Sequence, residues 1–236
     1  MIGARGDGSG GVSDDVDQNV TQNFPYAAIL FDMDGVLVDS EPIHEASLAE
    51  MYAARGWAVA DPRFRSFKGR TAADVFGALA RETGAAAAEI TADKRARYDA
   101  LFARDGRLVP GVTAVLEALA ARGVPLALAT SGHRAEVDAV FARFGIGDHF
   151  AATIAGEDVT RSKPHPEPYL RAAAALGDDA ARCLVVEDTL HGVAAGVAAG
   201  ATVAAITGTF PAADLVDAGA AWTFDTFADF AARLGV

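Results

Sequence analysis

An apolar run, Ala27-Ala28-Ile29-Leu30-Phe31, stops at two carboxylates one residue apart, Asp32 and Asp34, and then at Gly35. Such a run predicts a buried central strand of a parallel sheet over residues 26–32. Its carboxylates then stand at the C-terminal edge, where open α/β sheets bind ligands. Two like charges this close repel unless a cation neutralises them, and a hard cation such as Mg²⁺ is the natural third member. Gly35 lets the chain turn sharply away.

From residue 110 onward, apolar runs alternate with helical patterns. The runs are Pro125–Thr130, Ala152–Ala155, Cys183–Glu187, Thr202–Ile206 and the weaker Ala221–Phe224. Helical stretches fall at 112–121, 134–144, 166–176 and 190–199. This alternation predicts an α/β fold, a parallel sheet with helices on both faces. Residues 41–107 lack a strand run and show helical patterns at His44–Arg55, Ala72–Glu82 and Thr91–Arg104. They predict a helical domain inserted into a core made of 25–40 and 108–236. Residues 1–24, rich in Gly, Asp and Ser, read as a disordered tail without the apolar segment of a signal peptide.

The net charge of −12 argues against a nucleic-acid partner, which needs a basic face. A phosphorylated substrate stays open, because a metal and a few cations can dominate one pocket. Cys183 is the only cysteine, so no internal disulfide forms, as fits a reducing compartment. The uncharged stretch 192–207 is too short and too rich in Ala and Gly to span a bilayer. The expectation is a cytoplasmic protein without a membrane anchor, a monomer or weak homodimer.

Three later segments carry further chemistry. Thr130-Ser131-Gly132 follows a strand and precedes a helix, a setting in which a hydroxyl and backbone N–H groups bind phosphate oxygens. Ser131 as an ordinary helix cap is the plainer alternative. Lys163, one of three lysines, lies in Ser162-Lys163-Pro164-His165-Pro166. The prolines hold it at a fixed place, where it can stabilise a transferring phosphoryl group. Glu187-Asp188 end another apolar run, a placement suited to Mg²⁺. His165 and His191 read as structural.

In this order the four segments resemble the motifs of the haloacid dehalogenase (HAD) superfamily, in the subfamily with a small C1 helical cap. The resemblance covers about residues 25–233 and implies a Rossmann-like core with 41–107 as the cap. It implies Asp32 as nucleophile and Asp34 as general acid/base, with the backbone carbonyl of Asp34 on the metal. It makes Asp188 a metal ligand and Glu187 a ligand directly or through water. Asp34 also separates this chain from dehalogenases and phosphonatases. In the cap, His44, Lys68 and Arg70 are candidate contacts to a substrate's leaving group.

The implied activity is a Mg²⁺-dependent phosphatase for a small phosphorylated metabolite, a sugar or polyol phosphate. A β-phosphoglucomutase-like mutase is the alternative. Two departures weaken it: the mutase's cap arginine aligns with an alanine in Thr71-Ala72-Ala73-Asp74, and Gly132-His133 replace its Ser-Lys. A non-catalytic HAD-like binding module is the alternative of another class, and no catalytic carboxylate has been lost to suggest it.

Overall fold

A computed structural model describes residues 24–57 and 72–236. The expected tail and the Lys68 and Arg70 candidates thus lie outside the described residues, apart from Phe24. Six parallel strands form one sheet in the order β3-β2-β1-β4-β5-β6. They are β1 (Ile29–Phe31), β2 (Leu126–Ala129), β3 (Ala152–Ile154), β4 (Leu184–Glu187), β5 (Thr202–Ile206) and β6 (Trp222–Phe224). All six expected runs are strands. β1 is shorter than 26–32, although backbone bonds from Ala27 to Arg182 and from Asp32 to Val186 continue the pairing beyond it.

The period of two sorts the sheet into two cores. Ile29, Phe31, Leu126, Leu128, Leu184 and Val186 face one way, against α4 (Val112–Ala121), α5 (Arg134–Phe144) and α9 (Phe227–Leu234). Leu30, Ala127, Val185 and Val203 face the other way, against α6 (Glu167–Ala175), α7 (Leu190–Ala198) and α8 (Ala212–Asp217). Small residues allow close approach on that second side. A Cβ on Gly196 of α7 would come within 2.7 Å of Val203. Helices α8 and α9 go beyond the elements expected from sequence.

Between β1 and α4 lie α1 (Glu41–Ala54), α2 (Ala72–Thr83) and α3 (Ala87–Asp105). Leu48, Met51, Tyr52, Val75, Phe76, Leu79 and Ile90 give them a hydrophobic cluster separate from both sheet cores. Two backbone segments join these helices to the sheet. Asp39 N–H donates to the Arg107 carbonyl at 3.0 Å, and the Arg107 guanidinium lies 3.5 Å from the Asp39 carboxylate. Asp39 thus braces the crossing point. Among the described residues no helix is long and apolar enough to cross a membrane.

Candidate active site

The ends of β1, β2 and β4 lie side by side because β1 pairs with both β2 and β4. This register brings Asp32, Thr130 and Glu187-Asp188 to one edge, and the loop before α6 adds Lys163. Lys163 Nζ donates to Asp32 Oδ1 at 2.5 Å, to Glu187 Oε1 at 2.7 Å and to the Ala129 carbonyl at 3.0 Å. The Tyr169 ring lies 4.8 Å from the ammonium, and its hydroxyl donates to Glu187 Oε1 at 2.7 Å. The lysine is therefore fixed on every side. Burial disfavours its charge, but Asp32 and Glu187 outweigh that and hold its pKa above the ordinary value.

Glu187 is fully buried, and both its oxygens are engaged. Oε2 accepts from the Asp188 N–H at 2.9 Å and from the Thr189 N–H and hydroxyl at 3.1 Å each. Burial works against its charge, yet Lys163, Tyr169 and the Thr189 N–H hold its pKa below the usual range. Gly192 makes room for it, since a Cβ there would sit 1.7 Å from Oε1. Glu187 reaches a cation only by sharing an oxygen or through water.

Asp188 differs. Its Oδ2 accepts from the Thr209 hydroxyl at 2.6 Å, while Oδ1 is buried without a hydrogen-bond partner. Burial first, then the charges of Glu187 and Asp32, push its pKa well up. Burial likewise lifts Asp32 above the usual carboxylate range, with Glu187 and Asp34 adding to the effect against the pull of Lys163. Three buried carboxylates with one lysine leave an uncompensated negative charge, which is costly in a dry interior. Ligand oxygens of Asp32, Glu187 and Asp188 lie within 4.8 Å of one another. The all-oxygen donor set and the orphaned Asp188 oxygen fit a hard divalent cation.

The Gly35 backbone has φ 74°, and a Cβ there would fall 2.0 Å from Asp188 Oδ2. The glycine after the two aspartates thus does more than turn the chain, because it also admits the Asp188 carboxylate. Thr130 is buried at the end of β2, and its Oγ1 accepts from the Gly132 N–H at 2.9 Å. Ser131 is exposed and does not cap α5, whose first turn follows His133.

Asp34 sits at the junction with α1 and α3, about a third exposed. His44 Nε2 is 3.8 Å from its Oδ1, and the Tyr98 hydroxyl donates to the same oxygen at 3.4 Å. The His44 ring stacks on Tyr98 at 4.5 Å, and its Nδ1 meets Lys94 Nζ at 2.7 Å. Burial would raise the Asp34 pKa, but His44 above all, with smaller contributions from Ser40 and Lys94, lowers it overall. Of the sequence candidates, the structure gathers Asp32, Asp34, Thr130, Lys163, Glu187, Asp188 and His44 around one edge. Sequence reading assigned no role to Lys94, Tyr98, Tyr169 or Thr209. Lysine rarity was a usable signal for Lys94, and its spacing of four from Tyr98 was another.

A family model described as haloacid dehalogenase-like hydrolase matches residues 26–200. Protein CbbY of Rhodobacter capsulatus is 36% identical over 186 residues, covering 73% of this chain and 82% of that protein. Hexitol phosphatase B of Escherichia coli (strain K12) is 30% identical over 176 residues, covering 73% and 79%. The crystal structure of CbbY from Rhodobacter sphaeroides in complex with phosphate superposes with a TM-score of 0.77 at 28% identity, covering 89% of this chain and 100% of that one. With the motif residues at one sheet edge and these similarities in hand, the chain belongs to the haloacid dehalogenase-like hydrolases.

Proposed function

We propose that the protein is a Mg²⁺-dependent phosphomonoester hydrolase of the cytoplasm acting on a small sugar or polyol phosphate, with α1–α3 as its cap. The observation that carries this is Asp32, tied to Lys163 at 2.5 Å beside the orphaned Asp188 oxygen. A carboxylate so placed serves as a nucleophile toward phosphorus, with a fixed cation beside it. The similarity to phosphatases of small phosphorylated metabolites supports the substrate class.

An Asp32 oxygen attacks phosphorus, the ester P–O bond breaks, and the leaving oxygen takes a proton from Asp34. Water then attacks the aspartyl-phosphate while Asp34 accepts its proton, which releases phosphate and restores Asp32. His44 and Lys94 favour the ionised form of Asp34, the form this second half requires. Lys163 spreads the charge of the transferring group, and Thr130 supplies a hydroxyl to its oxygens. Asp32, Asp188 and the Asp34 backbone carbonyl would hold Mg²⁺, with Glu187 behind them. The ion supplies charge neutralisation for the phosphoryl oxygens. The helical cap keeps bulk water from the intermediate.

The test measures free phosphate from a panel of phosphorylated sugars, polyols and phosphoglycolate, with Mg²⁺ or EDTA, for the native chain and Asp32→Asn. Mg²⁺-dependent release that vanishes in Asp32→Asn is the expected outcome. Conversion of glucose 1-phosphate to the 6-phosphate without release would make the protein a mutase instead.

A further inference from the structure

β5 pairs with β4 so that Ala205 lies opposite Glu187, which carries the loop after β5 to the edge where Asp188 stands. None of the four sequence motifs includes this loop. It is clamped at both ends. Thr207 donates its N–H to the Phe224 carbonyl at 2.9 Å and its hydroxyl to Asp225 Oδ1 at 2.5 Å. Phe210 packs against the core on the side of α6, α7 and α8. Gly208, at φ 123°, makes the turn between them. Thr209 is thereby held in place, and its hydroxyl donates to Asp188 Oδ2 at 2.6 Å.

That hydrogen bond divides the roles of the two Asp188 oxygens. The torsion that sets the plane of a carboxylate is broad and two-fold, so by itself it leaves the plane loosely defined. Here Oδ2 is engaged by the hydroxyl and lies so near the Gly35 backbone that a Cβ there would fall 2.0 Å away. Oδ1 is the buried oxygen without a partner. A cation held among Asp32, Glu187 and Asp188 therefore meets Asp188 through one oxygen. The two common hard cations differ in how they take such a group. Mg²⁺ demands near-ideal octahedral geometry at short distances, whereas Ca²⁺ takes more oxygens in flexible geometry and accepts a carboxylate through both. A carboxylate fixed with one oxygen forward suits Mg²⁺ and withholds from Ca²⁺ a donor it would otherwise use.

We propose that Thr209 is a positioning residue that sets the metal preference of the site, Mg²⁺ over Ca²⁺, by keeping Asp188 Oδ2 from the ion. This rests on the Mg²⁺ reading above and adds to it which side chain makes the choice.

The experiment titrates Mg²⁺ and, separately, Ca²⁺ into the EDTA-stripped full chain and reads the apparent Kd of each from the rise in melting temperature. It compares the native protein, Thr209→Val and Thr209→Ser at fixed pH and ionic strength. Thr209 is half-buried in a loop, so both variants should fold. Valine keeps the branched shape without a donor, and serine keeps the donor. Thr209→Val should weaken Mg²⁺ about tenfold, the scale on which losing a hydrogen bond to a metal ligand acts, and leave Ca²⁺ unchanged or tighter. Thr209→Ser should keep the native ratio of the two affinities. Equal weakening of both ions in Thr209→Val would mark a purely structural contact and overturn the proposal. So would no weakening of Mg²⁺, or a serine variant that behaves like the valine one. A native chain whose melting responds to neither ion would remove the Mg²⁺ reading, and the inference with it. Phosphate release is not the readout, so a chain that binds Mg²⁺ with this dependence on Thr209 and hydrolyses no phosphate ester would uphold the inference and refute the phosphatase reading alone.

Discussion

Lys163 touches two buried carboxylates at once, and that geometry makes its removal informative. Lys163→Met would leave Asp32 and Glu187 facing each other without a cation. Breaking a buried ion pair from one side costs roughly 3–5 kcal/mol. The expected outcome is no measurable phosphate release and a lower urea midpoint; unchanged release would refute its role. Gly35→Ala tests a subtler point. The substitution meets both the positive φ and the Asp188 carboxylate, so it should expel Asp188 and abolish activity. Activity assays on purified Gly35→Ala protein decide this. These residues were legible because each stands where an apolar run breaks into polar chemistry, as at Phe31-Asp32 and Val186-Glu187. Lys94 left only its rarity and its spacing from Tyr98 as signals, because both residues lie inside a helix whose sequence pattern reports packing and not aim. Only the fold shows that α3 turns Tyr98 and Lys94 toward Asp34.

At the scale of elements, Glu167 fastens the start of α6 to the loop that presents Lys163. It accepts from the Thr160 N–H at 3.1 Å and hydroxyl at 2.8 Å, and from the Arg161 N–H at 3.1 Å. These bonds, the Thr160 N–H foremost, hold its pKa down to about 2 from an ordinary 4.5. A depressed pKa stabilises the fold fully above pH 4.5, and the contribution fades as pH falls toward 2. Glu167→Gln should therefore melt below the native protein at pH 7, with the gap narrowing below pH 4.5 in thermal scans at stepped pH. A constant gap would show that charge is not what matters. Helices α4 and α5 match their expected spans because their apolar periodicity is clear. The six-residue α8 and eight-residue α9 escaped expectation. Helices this short owe little to propensity and stand on tertiary packing, here the burial of Leu215 and of Phe227 and Phe230. Thr226 and Asp229 bond each other's backbone at the start of α9, a local signal that was present in sequence.

For the whole molecule, three buried acids around one lysine make the folded state short of positive charge, so a divalent ion should stabilise it globally. A ligand at a hundred times its Kd adds about 2.7 kcal/mol to a two-state fold. Mg²⁺ should raise the melting temperature relative to EDTA, and Asp188→Asn should remove that rise. Equal melting with and without Mg²⁺ in the native chain would defeat the metal assignment. The architecture was legible at this scale because alternation of strand and helix leaves few topologies. The strand order also carries a consequence for how the chain comes to be active. β1 lies mid-sheet, yet its neighbours begin only at Leu126 and Leu184. As the polypeptide leaves the ribosome, its most apolar strand waits with both edges open, a state prone to wrong pairing. Such non-local closure slows folding. Catalytic activity therefore arises late, when the final third of the chain has been synthesised, and a nascent fragment ending before β4 is a client for chaperones and not a partial enzyme.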